Sequence, residues 1–114
     1  MDAKTTARLR QRLLERQAEL QALSEVSAEA RAAVPLDQQS VGRLSRMDAM
    51  QGQAMAQAQE RQRANELVRI ERALAKIAEG EFGFCEECEE EIAQKRLEAD
   101  PTVRLCIHCA ANAE

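Results

Sequence analysis

Apolar positions along the first third of the chain recur at helical spacing. Leu9, Leu13, Leu20 and Leu23 fall on one stripe, which Ser27, Ala30 and Val34 continue. Their separations of three and four residues are those of a coiled-coil seam, interrupted at Arg16. This predicts a first helix from about Thr5 to Ala33. Pro35 lacks an amide proton and disfavours the helical conformation at Val34, so the helix should stop there. A connector follows to Gly42, in which Asp37 or Ser40 can cap the next helix. A second helix is predicted from Arg43 to Glu79, with Leu67, Ile70, Leu74 and Ile77 as a seam near its end. Between Gln51 and Gln62 the sequence is mostly Ala and Gln, with Met55. Met47, Met50 and Met55 read as seam fillers. A fold-back near residue 39 sets Leu9 level with residues near 69, so the two Leu/Ile-rich stretches meet at one end. The pattern thus predicts an antiparallel helical hairpin over 1–79, its tip near 35–48. At 1.5 Å rise per residue the second helix would be about 55 Å long.

Beyond Gly80, a left-handed helix stop, the period is lost. Phe82-Gly83-Phe84 leads into four cysteines, Cys85, Cys88, Cys106 and Cys109. Residues 89–97 are expected to form a short helix, broken before Pro101, and 106–113 a last one. The cysteines form two Cys-x-x-Cys pairs with 17 residues between them. Each such turn points two sulfurs at one centre, and two turns complete the tetrahedron that Zn²⁺ adopts in closed structural sites. No cysteine is left over, so one structural Zn²⁺ per chain is expected. A disulfide or dithiol pair is the rival, but no βαβ pattern surrounds the cysteines. His108 lies between two of them, where it cannot easily share their metal, and reads as a surface residue. With only two Phe, this second region (80–114) has too few apolar side chains to fold unaided, so zinc binding would supply its folding energy. The fold class is all-α: a coiled-coil hairpin followed by a small four-cysteine zinc finger.

Composition agrees with long helices. The chain has 114 residues, no Trp or Tyr, and an excess of Ala, Leu, Glu, Gln and Arg. Charge changes the picture more. Residues 1–78 carry a net +3, whereas 79–114 carry 3 basic and 10 acidic residues, a net −7. Glu86, Glu87, Glu89, Glu90 and Glu91 would repel a phosphate backbone, so sequence-specific DNA binding is not expected. No apolar run approaches the roughly 20 residues of a membrane span, and residues 1–17 lack the apolar core of a secretory signal. A thiolate site without such a signal fits the cytoplasm. No nucleophile–base pair, phosphate loop or acid/base cluster stands out, so no enzyme is expected.

The run Phe82-Gly83-Phe84-Cys85-x-x-Cys88, then Ile92, then Arg96-Leu97-Glu98-Ala99-x-Pro101-Thr102, then Leu105-Cys106-x-x-Cys109, resembles the DksA/TraR-type zinc finger family of bacterial transcription regulators. The resemblance implies a protein that binds RNA polymerase and not DNA. It implies a coiled coil that enters the polymerase secondary channel, action often together with ppGpp at the polymerase interface, and a finger that braces the coiled coil. The family tip carries Asp-x-x-Asp followed after one residue by Ala. Counting back from Cys85 places Gly42 and Ser45 at the acidic positions, with Arg46 matching the residue after the second. The candidate partner-binding tip is therefore Asp37, Arg43, Ser45, Arg46 and Asp48. Glu89 stands where the family often has Gly. The competing reading is a zinc-braced coiled-coil adaptor for some other protein.

Overall fold

The computed structural model describes residues 1–28 and 43–113. Four helices follow one another: α1 (Ala3–Val26), α2 (Arg43–Glu79), α3 (Gln94–Ala99) and α4 (Ile107–Asn112). The one β feature among the described residues is an isolated antiparallel bridge, Phe84 to Glu91. The all-α expectation holds. The expected continuation of the first helix to Ala33, and Asp37 with the connector, lie outside the described residues.

Each long helix has a local cause for where it starts or stops. Asp2 caps α1: its Oδ1 accepts from the Thr5 N–H at 2.7 Å, and its carbonyl accepts from the Thr6 N–H at 3.1 Å. The Thr5 amide stabilises the carboxylate and lowers the Asp2 pKa. At its C-terminus α2 closes in a Schellman motif. The Gly80 N–H reaches the Ile77 carbonyl at 3.1 Å, and the Glu81 N–H reaches that of Lys76 at 2.9 Å. Gly80 supplies the left-handed residue, φ +76°. Where this motif usually carries an apolar contact, Lys76 and Glu81 form an ion pair at 3.8 Å.

The described residues form two compact units. One combines residues 1–17 with 68–114, so the start of α1 lies with the end of α2 and the helices run antiparallel. Here Leu9, Leu13, Ile70 and Ala73 are buried. Leu9 does more than line the helix pair: it belongs to one cluster with Cys85, Ile92 and Leu97, against which Phe82, Val103 and Leu105 pack. The finger residues therefore close around a side chain from α1. Arg8 reinforces the attachment through an ion pair to Glu98, and Arg12 Nη1 donates to the Glu98 carbonyl at 2.7 Å.

The other unit combines the end of α1 with α2 up to Leu67. Among the shielded positions on α2, one row runs through Ala49, Gln53, Ala56, Glu60, Arg63, Leu67, Ile70, Leu74 and Ile77, with Ala58, Glu66, Arg72, Ala73 and Lys76 shielded beside it. The spacing of the row alternates four and three throughout, so the heptad seam is continuous although its residues turn from apolar to polar. On α1 the seam passes from Leu20 to Ser24 and Ser27. Leu23, expected on it, is 43% exposed. Met47, Met50 and Met55 are also exposed rather than seam fillers. The inward face belongs instead to a polar ring. Ser24 Oγ donates to Glu60 Oε2 at 2.9 Å, Arg63 Nε donates to the same oxygen at 3.0 Å, and Arg63 Nη2 donates to Ser27 Oγ at 2.8 Å. Ser27 Oγ closes the ring by donating to the Ser24 carbonyl at 3.2 Å.

Candidate metal centre

The finger begins as a tight turn around Cys85. Its N–H donates to the Glu90 carbonyl at 2.8 Å, its carbonyl accepts from the Glu89 N–H at 3.0 Å, and the Ile92 N–H reaches the Gly83 carbonyl at 2.8 Å. These bonds bring the Cys85 and Cys88 side chains to the same side. They also consume the backbone of 89–92, so the helix expected from residue 89 starts only at Gln94. Gly83 has φ +93°, and a Cβ there would lie 3.1 Å from Met1 Cε and 3.6 Å from Leu97 Cδ1. The second turn caps a helix: Cys106 precedes α4, and its Sγ accepts from the Cys109 N–H at 3.4 Å. Two contacts tie the halves together. The Glu86 N–H donates to the Arg104 carbonyl at 3.0 Å, and Arg96 Nε donates to the Leu105 carbonyl at 3.0 Å. The break at Pro101 is held by Asp100, whose Oδ1 accepts from the Thr102 N–H at 3.0 Å and its hydroxyl at 2.6 Å.

The four sulfurs lie within 4.8 Å of one another. Cys88 Sγ and Cys106 Sγ are 3.8 Å apart. A tetrahedral ion with Zn–S bonds of about 2.3 Å requires sulfurs roughly 3.8 Å apart, so the cluster has the size zinc needs. Its electrostatics point the same way. Backbone N–H groups of Cys88 and then Cys106 hold the Cys85 thiol down to about 6, against burial. Cys88 receives the Glu90 N–H, yet burial and the neighbouring sulfurs of Cys85 and Cys106 raise it overall. Cys109 is pushed far up by its hydrogen bonds to the sulfurs of Cys106 and Cys85 and by burial. The Cys85 thiolate forms easily while Cys88 and Cys109 resist, as expected when like charges crowd together. A central divalent cation removes that conflict and lets all four ionise. His108 is exposed and outside the group.

Glu89 has φ +62°, the left-handed region, and is the one non-glycine with positive φ among the described residues. Such a residue costs about 1 kcal/mol or more where glycine does not. Glu89→Gly is accordingly expected to stabilise the metal-bound finger by about 0.5–1 kcal/mol, the strain relief being partly offset by the freer unfolded chain. Competition with a graded zinc chelator would measure it, and an unchanged midpoint would contradict the strain argument.

Of the candidate tip, Asp37 lies outside the described residues. Arg43 opens α2 and Ser45 lies in its first turn, while Arg46 and Asp48 are exposed on that helix. Two features were not read from the pattern: the ring of Ser24, Ser27, Glu60 and Arg63, and the entry of Leu9 into the finger core. The first was open to detection, because counting back from Leu67 by four and three lands on Arg63 and Glu60. The second had no local signal.

Residues 80–114 match the prokaryotic dksA/traR C4-type zinc finger. The RNA polymerase-binding transcription factor DksA of Salmonella typhimurium is 47% identical over 55 residues, which are 47% of this chain and 36% of that protein. DksA of Buchnera aphidicola subsp. Acyrthosiphon pisum is 49% identical over a stretch of the same length and coverage. The match thus spans about a third of these curated relatives. The solved structure of transcription factor DksA2 from Pseudomonas aeruginosa superposes with a TM-score of 0.82 at 28% identity, covering 98% of this chain and 84% of that one. A C4 finger with four sulfurs at this spacing takes one structural Zn²⁺. With the finger matched in sequence and the helices matched in structure, this chain carries a DksA/TraR-type C4 zinc finger on a DksA-like helical fold.

Proposed function

We propose that the protein is a bacterial transcription regulator that binds RNA polymerase through its secondary channel and does not bind DNA. The observation that carries this reading is the combination of a 55-residue stretch 47–49% identical to polymerase-binding DksA proteins, a matched DksA/TraR-type finger, and a fold that covers 84% of DksA2. Cys85, Cys88, Cys106 and Cys109 hold the zinc, which closes the finger around Leu9 and so braces the start of α1. It has no open coordination position for chemistry, and the protein acts by occupancy rather than catalysis. The net −7 of residues 79–114 opposes phosphate binding. No described helix is long and apolar enough to cross a membrane, and the place of action is the cytoplasm, with the polymerase. ppGpp would enter at the polymerase interface.

The test is binding to purified core RNA polymerase, with and without a competing secondary-channel factor. Competitive binding is the expected outcome; binding that the competitor leaves unaffected, or none at all, would favour the adaptor reading. The tip adds a sharper expectation. Asp37 and Asp48 are the acidic residues nearest the fold-back, with Arg43, Ser45 and Arg46 beside them, and carboxylates suit the Mg²⁺ environment of a polymerase active site. Asp48→Asn or Asp37→Asn should remove an effect on transcription in vitro while leaving polymerase affinity within about twofold, as for a surface charge far from the binding energy. Equal loss of both would mean that the tip contributes to docking instead.

A further inference from the structure

The chain has two phenylalanines, and the finger treats them oppositely. Phe82 packs against the core cluster, whereas Phe84 is 45% exposed. Phe84 is not on a loose loop. It is one half of the bridge to Glu91, and the hydrogen bonds of Gly83 and Cys85 flank it. Two open grooves, of about 450 and 530 Å³, share Phe84 as a wall. The first is lined further by Lys76, Cys85 and three acids, Glu81, Glu86 and Glu89, the second by Glu91 and Ile92 among others. Glu81 and Glu86 have cationic partners in Lys76 and Arg104. Glu89 and Glu91 make no ion pair among the described residues, so an exposed ring stands between uncompensated carboxylates. Glu89 also keeps its side chain in a backbone conformation that glycine would occupy without strain.

We infer that this face of the finger is a docking surface for a basic segment of RNA polymerase, an extended stretch in which an apolar side chain or an arginine covers Phe84 and Lys or Arg side chains meet Glu89 and Glu91. An arginine stacks on an aromatic ring and pairs with carboxylates at once, which fits a ring flanked by acids. The area around Phe84 is acidic, so charge complementarity selects a cationic occupant and excludes nucleic acid. The inference rests on the polymerase reading and adds to it a contact surface remote in sequence from the tip.

The experiment measures affinity for purified core RNA polymerase at two salt concentrations, with zinc content by native mass spectrometry as the control of folding. Phe84→Ala is expected to weaken binding about tenfold, as for a central aromatic anchor. Glu89→Gln with Glu91→Gln should weaken it about threefold at low salt and flatten its salt dependence. Glu89→Gly provides the decisive split: it relieves the backbone yet should lose affinity as Glu89→Gln does. A purely structural role would leave its affinity equal to or better than that of the original protein. If all these variants retain one zinc and bind as tightly as the original, the inference is overturned. If the original protein does not bind polymerase, the polymerase reading fails first, and this assignment of partner falls with it.

Discussion

Chelation of the zinc is expected to unfold residues 80–114 and to strip amide protection from the first turns of α1, while α2 between about residues 50 and 67 keeps its protection. The finger's buried core consists of Leu9, Cys85, Ile92 and Leu97, and two of the groups packed on it are Cys106 and Cys109. Without the ion, thiols whose pKa values are pushed apart by their neighbours no longer share a charge-balanced centre, and few apolar side chains remain to hold the chain. An apparent metal-binding free energy on the order of 10–16 kcal/mol is then largely folding energy. Cys106→Ser should act like chelation, because Cys106 is at once a sulfur donor and the N-cap of α4. Hydrogen exchange with and without chelator checks the pattern. Loss restricted to residues after Gly80, with α1 unaffected, would show that Leu9 finds an equivalent place in the helix pair alone. Uniform loss along both long helices would mean that the two compact units fold as one.

Arg63→Ala is expected to destabilise the helix pair by about 2 kcal/mol. The Arg63 and Glu60 side chains are only 16% and 22% exposed, so removing the guanidinium leaves a half-buried carboxylate with one cation fewer and Ser27 without its donor. A fully buried broken pair would cost about 3–5 kcal/mol, and the remaining water contact reduces that. Replacing both partners, Glu60→Leu with Arg63→Leu, should be neutral or stabilising, because a seam position accepts Leu and no charge is left behind. Urea unfolding followed by circular dichroism would compare the three proteins. Equal midpoints for Arg63→Ala and the original would show that water replaces the lost contacts at no cost. The polar ring also sets the helix phase: it turns Ser24 and Ser27 inward, which turns Leu23 and Val26 outward.

Leu23 faces outward although the hydrophobic spacing continues through it. Leu20 and Leu23 are three apart and both apolar, so hydrophobicity alone continues the stripe through Leu23. The partner helix, however, presents Glu60 and Arg63 there, which bond to Ser24 and Ser27. Which face of α1 turns inward was thus decided by the chemistry of α2. The helix expected from residue 89 failed for a related reason. Its residues suit a helix, but the Cys85 turn takes their N–H and carbonyl groups first.

The sequence by itself determined the features that depend on neighbours in the chain. The paired cysteine turns specify four sulfurs for one ion, Gly80 stops α2, and the four-and-three spacing around Leu67 and Ile70 specifies a helix that pairs with another. Each is local, because turn geometry and helix phase are set within a few residues. Tertiary structure alone decided what depends on residues far apart. It placed Leu9 among Cys85, Ile92 and Leu97, drew Ser24 and Ser27 to Glu60 and Arg63, and packed Phe82 against the finger core while leaving Phe84 in the open. Those outcomes follow from which surfaces meet when the chain closes, and a hydrophobic pattern records only that a side chain seeks burial, not which partner provides it.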